Sequence, residues 1–105
     1  TATITAIAND ESFNNIFSRQ LEGLGNKGDI LFAISTSGKS KNVLNAINVA
    51  KKKKLKIIFL TSLNYNNIDK KIDSIILVPA NRVDRIQEMH IAVGHIICEL
   101  IEKSI

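Results

Sequence analysis

The sequence predicts an α/β fold, a three-layer sandwich built on a parallel sheet, from two observations. Short, nearly continuous apolar runs occupy residues 29–34, 56–61 and 74–78. Such runs are typical of strands that are covered on both faces, as they are in parallel sheets. Helical patterns alternate with the runs, at residues 13–24, 42–54 and 83–105. This alternation implies βαβ units with right-handed crossovers.

The elements follow in order along the chain. Residues 1–8, TATITAIA, alternate and are rich in Thr and Ile, so their own pattern predicts a strand. Asp10 or Ser12 can cap the next helix, whose apolar stripe comprises Phe13, Ile16, Phe17, Gln20, Leu21 and Leu24. The run Asp29–Ile34 is predicted to be the central strand, and a short helical turn is predicted near residues 68–72.

The connection after the first buried strand is rich in hydroxyl groups, with Ser35, Thr36, Ser37 and Ser40 around Gly38. A helix that begins just after such a loop offers free backbone N–H groups and the positive end of its dipole. The loop therefore predicts a phosphate site, although its hydroxyls could instead only cap the helix. A Walker loop is excluded because Ala33 stands where its first glycine belongs, and a dinucleotide loop is excluded because its other glycines are absent.

The last helix, residues 83–105, has two apolar stripes when each residue advances by about 100°. The stripe predicted to cover the sheet comprises Ile86, Met89, Val93, Ile96, Ile97 and Leu100. The second stripe comprises Gln87, Ile91, Gly94 and Cys98. A helix that is apolar on two sides is buried on both, so the second stripe predicts a subunit or domain interface.

Two histidines of this helix have different predicted roles. His90 points nearer the sheet and is predicted to be structural. His95 lies on the same side as Glu88 and Glu99. Gln87 and His95 are about 80° apart and about 12 Å apart along the axis, so their side chains could converge on one point. The spacing also permits an exposed or carboxylate-paired His95.

Composition limits the classes of function. The 105 residues are expected to form one domain or part of one, with a net charge of +4 and no Trp. Few aromatic residues and a lysine run at a predicted helix end give no sign of a nucleic-acid partner. The lone Cys98 favours a reducing compartment, and no apolar run approaches the roughly 20 residues of a membrane span. A cytoplasmic protein without membrane contact is expected.

Four segments together resemble the phosphoheptose isomerases, a family of sugar-isomerase (SIS) domains. They are Ala8-Asn9-Asp10 with residues 13–20, the loop ISTSGKS at 34–40, NVL at 42–44, and RIQEMH with the later Gly94-His95. The resemblance implies a flavodoxin-like SIS domain of which residues 1–105 are the C-terminal portion, without the N-terminal part. It also implies a helix, not a strand, at residues 1–8.

The resemblance further implies an aldose–ketose isomerase that converts sedoheptulose 7-phosphate to D-glycero-D-manno-heptose 7-phosphate, for the heptose of bacterial lipopolysaccharide. By that resemblance the substrate contacts are Asn9, Asp10, Ser35, Thr36, Ser37, Ser40 and Gln87. Gln87 and His95 would be ligands of one zinc ion, and His95 a catalytic acid or base. The remaining ligands are expected in the N-terminal part, so residues 1–105 alone are expected to be inactive.

The resemblance implies a homotetramer as well. The same fold also occurs in non-catalytic relatives that bind DNA-replication initiators, in which the histidine that matches His95 tends to be replaced. A sugar-phosphate-sensing or protein-binding module is therefore the alternative to the enzyme, and a purely structural fragment is a third possibility.

Overall fold

The computed structural model describes residues 1–66 and 69–105. Its elements are α1 (Ala2–Asp10), a 3-10 turn (Phe13–Asn15), α2 (Ile16–Leu24), β1 (Ile30–Ile34), α3 (Lys41–Lys52), β2 (Lys56–Ser62), β3 (Ser74–Val78) and α4 (Val83–Ser104). The predicted order of strands and helices is confirmed from residue 13 onward, where the predicted helix 13–24 is the 3-10 turn followed by α2. The predicted helical turn near 68–72 lies partly outside the described residues, and residues 69–72 contain a turn without a helix.

The sheet is parallel, as predicted, but its middle strand is β2 and not β1. The strand order is β1-β2-β3, with Ile30 opposite Lys56 and Ile58 opposite Ser74. The prediction that Asp29–Ile34 is central was wrong for the described sheet. An apolar run indicates that both faces of a strand are covered and carries no information on its place in the sheet.

The core lies on both faces of β2 because successive side chains of a strand point to opposite sides. Ile57 and Phe59 face α2 and α3, where they form one cluster with Ala33, Ile47, Ala50, Leu55 and Ile72. Leu60 faces the other way and packs with Val78 and Ile86 under α4. The predicted three-layer sandwich is thereby confirmed, with α2 and α3 on one side and α4 on the other.

Residues 2–10 form a helix, so the strand predicted from their alternation was wrong and the helix implied by the resemblance is confirmed. None of the residues of α1 is buried, and α1 contacts α2 and the 3-10 turn instead of the sheet. Because no face of this segment enters the core, its apolar residues need not follow the 3.6-residue period of a helix, and the alternation that predicted a strand does not reflect packing.

Helix α4 covers the sheet with its first half only. Ile86 and His90 are buried there, as predicted for this side of the helix. The prediction that Ile96 and Leu100 also face the sheet was wrong, since they are 56% and 59% exposed. The stripe has the predicted direction, but the 22-residue helix extends beyond the three strands. Among the described residues, no helix has the length and apolar character that crossing a membrane would need.

Candidate functional site

The hydroxyl-rich loop at residues 35–40, here called the serine loop, joins the carboxyl end of β1 to the start of α3. This is the edge of a parallel sheet at which ligands commonly bind. The Ser35 side chain is buried; its hydroxyl accepts a hydrogen bond from the Gly38 N–H and donates one to Ser40 Oγ, each at 3.1 Å. Ser37 Oγ accepts a hydrogen bond from the Lys39 N–H at 3.1 Å. The four predicted phosphate contacts therefore lie in one compact loop.

Gly38 has a backbone that only glycine adopts without strain. Its φ is +69°, in the left-handed region. A Cβ built there would lie 2.7 Å from Tyr65 Cδ2 and 3.1 Å from Thr61 Oγ1. The glycine is thus required both by its conformation and by its closeness to the end of β2.

The start of α3 leaves donors free beside the loop. Helix α3 begins at Lys41, and the Ser40 hydroxyl caps none of its N–H groups in the described structure. The first N–H groups of a helix have no acceptor within the helix, and here only Val43 receives a side-chain oxygen, from Asn42. The alternative that the serines merely cap α3 therefore gains no support from Ser40.

Sequence reasoning missed the support that β2 gives to the loop. Ser62 Oγ donates a hydrogen bond to the Thr36 carbonyl at 2.8 Å, and the Ser35 N–H donates one to the Leu60 carbonyl at 3.1 Å. Thr61 Oγ1 is buried and has no hydrogen-bond partner among the described residues. Polar residues directly after an apolar run were the available signal, since Thr61 and Ser62 follow the run 57–60 much as Ser35 and Thr36 follow the run 30–34.

Tyr65 lies beside Gly38 and packs edge-on against Phe59, with ring centroids 5.2 Å apart. Burial, followed in weight by the nearby Asp69 carboxylate, raises the pKa of Tyr65. The phenol therefore stays neutral around pH 7 and contributes a rigid wall to the loop, not a charge. This contact of Tyr65 was not predicted from the sequence.

Asn9 and Asp10 lie at the end of α1, both exposed, and Asn9 Nδ2 donates a hydrogen bond to Asp10 Oδ1 at 3.0 Å. No hydrogen bond within residues 1–66 and 69–105 joins this pair to the serine loop. The two residues remain predicted substrate contacts that the described structure keeps adjacent to each other.

Gln87 and His95 are exposed on α4, and neither side chain has a hydrogen bond in the part of the chain that the structure describes. Glu88 pairs with Arg85, and Glu99 pairs with Lys103. The carboxylates that could have paired with His95 are thus occupied by other cations. His95 is an exposed imidazole, available to a ligand. His90, by contrast, is buried and its Nε2 lies 3.0 Å from the Thr61 carbonyl oxygen, as expected for a structural histidine.

Comparison with known proteins defines the class. The SIS domain family matches residues 1–62, and the chain belongs to this family. Relatives that match the whole chain or nearly all of it include phosphoheptose isomerases. The one from Sulfurimonas denitrificans is 50% identical over 105 residues, which are 100% of this chain and 54% of that protein. The one from Helicobacter pylori is 46% identical over 103 residues, 98% of this chain and 54% of that protein.

Solved structures agree with these relatives. The phosphoheptose isomerase of Neisseria gonorrhoeae superposes with a TM-score of 0.91 at 37% identity, over 98% of this chain and 58% of that one. The Francisella tularensis enzyme gives a TM-score of 0.87, also at 37% identity, over 97% and 55%. This chain spans about half the length of the curated relatives that it matches.

Proposed function

We propose that the full-length protein containing this chain is a phosphoheptose isomerase that interconverts sedoheptulose 7-phosphate and D-glycero-D-manno-heptose 7-phosphate, towards the heptose of lipopolysaccharide. The observation that carries the proposal is the match of relatives with that name along the entire chain, including the serine loop and the region of α4. The serine loop suits the phosphate end of either sugar. Residues 1–105 form the C-terminal portion of a single domain in this proposal, and the protein is cytoplasmic.

The serine loop binds the phosphate. Thr36, Ser37 and Ser40 supply hydroxyl donors, and the Ser35 hydroxyl, which donates to Ser40 Oγ in this structure, would turn to the phosphate when it is bound. The first turn of α3 adds N–H groups and the positive end of its dipole. Hydrogen bonds to a charged group contribute about 1.5–3 kcal/mol each. Several such bonds hold one end of the sugar, so that its carbonyl carbon has a fixed position relative to the helices. Asn9 and Asp10 contact the sugar in the same proposal.

His95 moves a proton. Isomerisation transfers a proton between adjacent carbons through an enediol, which needs a base for the carbon-bound proton and an acid for the carbonyl oxygen. An imidazole titrates near neutral pH and can serve in either role. The exposure of His95 and its lack of a described carboxylate partner leave both ring nitrogens available for this work.

Gln87 and His95 would hold a zinc ion. An imidazole nitrogen is a common zinc donor, and neither side chain is engaged by another described residue, so the donor set fits. A zinc ion at this place would polarise the sugar carbonyl. Residues 1–66 and 69–105 contain no cluster of three His, Cys, Asp or Glu that could hold a metal. Zinc usually takes four ligands, so the other ligands would come from outside the described residues.

The second stripe of α4 is part of a subunit interface in a homotetramer. Ile91 is 60% exposed and Cys98 is exposed. Within the described chain, the space beside Gly94 is open, with no atom outside the adjacent backbone of α4 within 4 Å of a Cβ built there. An apolar helix face of this kind is typical of surfaces that pack against another chain.

The test is an assay of the full-length protein with sedoheptulose 7-phosphate, together with its zinc content. We expect turnover to the heptose 7-phosphate and loss of turnover when a chelator removes the metal. Tight binding of the sugar phosphate without turnover would contradict the isomerase and favour a sensing module or an initiator-binding module. Absence of both binding and turnover would favour a structural role.

A further inference from the structure

We propose that Thr61 and Ser62, the last two residues of β2, form a junction that fixes the serine loop relative to α4, with Ser62 and His90 as positioning residues. The kinetic consequences of this β2 junction rest on the proposed function, whereas its effect on phosphate affinity does not. The junction joins the two parts of the proposed site, which have no direct hydrogen bond between them among the described residues.

On the loop side, the junction has two contacts that use opposite faces of β2. Ser62 is fully buried, and its hydroxyl donates to the Thr36 carbonyl in the middle of the loop. Thr61, also fully buried, points to the other face, where its Oγ1 would lie 3.1 Å from a Cβ built on Gly38. A shift of the loop along β2 would therefore break the hydrogen bond between Ser62 and Thr36 and change the spacing between Gly38 and Thr61.

On the helix side, the junction has one polar contact. His90 is 6% exposed, and its Nε2 lies 3.0 Å from the Thr61 carbonyl oxygen. A carbonyl only accepts hydrogen bonds, so Nε2 carries the proton and donates it. This is the only side-chain hydrogen bond from α4 to the sheet within residues 1–66 and 69–105. The apolar contacts of Ile86 have no preferred direction, so the hydrogen bond fixes the position of α4 along β2.

The position of α4 decides where the proposed ligands lie. Gln87 is three residues before His90, and His95 is five residues after it, so the two flank the contact by about one turn each. A slide of α4 along the sheet would move both side chains relative to a sugar phosphate held in the loop. Enzymes lose much activity when a reacting group is displaced by about 1 Å.

The experiment measures the affinity of the full-length protein for inorganic phosphate by calorimetric titration, with isomerase kinetics beside it. We expect Ser62→Ala to weaken phosphate binding about threefold to tenfold, the range for one lost hydrogen bond. Ser62→Thr keeps the hydroxyl and should restore the affinity. His90 does not touch the loop, but His90→Phe removes the hydrogen bond to the Thr61 carbonyl, next to Ser62. Because Ser62 holds the loop, we expect this change also to weaken phosphate binding, and the displacement of α4 to lower kcat. His90→Gln places an amide donor near the position of Nε2 and should recover both.

The matched control is Ser18→Ala. Ser18 is a buried serine whose hydroxyl donates to the Asn15 carbonyl at 3.3 Å, away from the junction. It should lower stability without changing phosphate affinity. The double variant Ser62→Ala/His90→Phe should lose less affinity than the product of the two single losses, because both changes break one connected path.

Three results would overturn the junction. They are equal phosphate affinities for Ser62→Ala and Ser18→Ala, a His90→Phe protein that is less stable but binds phosphate normally, and no phosphate binding by the unsubstituted protein. If His90→Phe does not fold, the comparison of Ser62→Ala with Ser62→Thr decides. If the variants change phosphate affinity as expected but the protein has no isomerase activity, the junction is supported and only the proposed function is refuted.

Discussion

The serine loop and helix α4 show two different ways of presenting a functional group. In the loop, donors are held by contacts inside the chain, such as the hydrogen bonds of Ser35 to Gly38 and of Ser62 to Thr36. On α4, Gln87 and His95 stand exposed, and no described residue orients them. Phosphate binding therefore depends on the loop and on its contacts with the end of β2, whereas acid–base chemistry depends on what lies opposite α4.

The largest effect should come from His95→Ala in the full-length protein. We expect kcat to fall by about 10²–10⁴-fold, the usual contribution of a general acid or base, while KM changes little because the serine loop is intact. Gln87→Ala should lower the zinc content as well as the rate. Steady-state kinetics and metal analysis of each variant measure these changes.

The control for that variant is Glu102→Ala, another exposed position on α4, which should leave kcat unchanged. Near-normal turnover of His95→Ala with full metal occupancy would show that the acid–base assignment is wrong. In that case α4 would not present its acid or base through His95.

Ser37→Ala tests the other side of the comparison. Ser37 is exposed at the loop surface, where its hydroxyl accepts from the Lys39 N–H and can donate to a phosphate. Loss of one hydrogen bond to a charged group, about 1.5–3 kcal/mol, should raise the Kd for phosphate about 10-fold to 150-fold, with kcat nearly unchanged. Ser104→Ala, at an exposed serine of α4, is the control. Unchanged KM and phosphate affinity would remove Ser37 from the site.

Gly94→Leu asks whether another chain lies opposite α4. Apart from the adjacent backbone of α4 itself, the described chain has no atom within 4 Å of a Cβ at Gly94, so a larger side chain there begins in open space. In a packed interface, added bulk costs about 1–3 kcal/mol and should dissociate the oligomer, as measured by sedimentation velocity. Gly23→Leu, at an equally open position on α2, should leave the oligomer intact. An unchanged sedimentation profile for Gly94→Leu would refute an interface at this stripe.

Gly38→Ala and Gly28→Ala separate strain from contact. Both glycines have a left-handed backbone, with φ of +69° and +92°, so alanine costs each about 1–2 kcal/mol. Only Gly38 has neighbours within 4 Å of a new Cβ. Gly38→Ala should therefore destabilise the protein more in urea unfolding, and adding Tyr65→Ala should remove part of the excess. Equal losses for the two glycines would mean that Tyr65 does not constrain the loop.

The sequence predicted the fold well where residues enter the core. The strands β1, β2 and β3 were found because each contains a short apolar run; in β2, for example, residues 57–60 are apolar and lie between the two layers of helices. Residues 1–8 were misread because α1 buries none of its residues, so no packing requirement shaped their pattern. The exposure of Ile96 and Leu100 could not be predicted, since the angular position of a residue on α4 does not reveal where the sheet ends.

The site was predictable to the extent that it is local. The serine loop is one continuous segment, so residue types and order were enough to indicate a phosphate site. The contacts of Ser62 and His90 could not be predicted in this way. Ser62 contacts Thr36, which is 26 residues away in the sequence, and His90 contacts Thr61, which is 29 residues away. The contact of Ser62 depends on the register of β2 beside β1, and that of His90 on the position of α4 over β2; periodicity alone gives neither.

The smallest effect should come from Lys51→Met, which removes the ion pair between α3 and Asp69. The hydrogen bond from Lys51, followed by the one from the Lys71 N–H, holds the pKa of Asp69 below its ordinary value of 3.8. An acid whose pKa is lowered by folding contributes stability above its unfolded pKa, and this contribution is lost as pH falls through the folded pKa. The two proteins should therefore differ in stability at pH 7 and converge in acid.

The loss at pH 7 should be below about 1 kcal/mol, as for other partly exposed ion pairs, and urea unfolding at several pH values measures it. The ion pair holds the segment after β2 onto α3, while the loop keeps its own contacts through Ser35 and Ser62. Phosphate affinity of Lys51→Met should therefore match that of the unsubstituted protein. A loss as large as that of Ser37→Ala would mean that the loop depends on this distant segment, and that its donors are not held by the loop and the end of β2 alone.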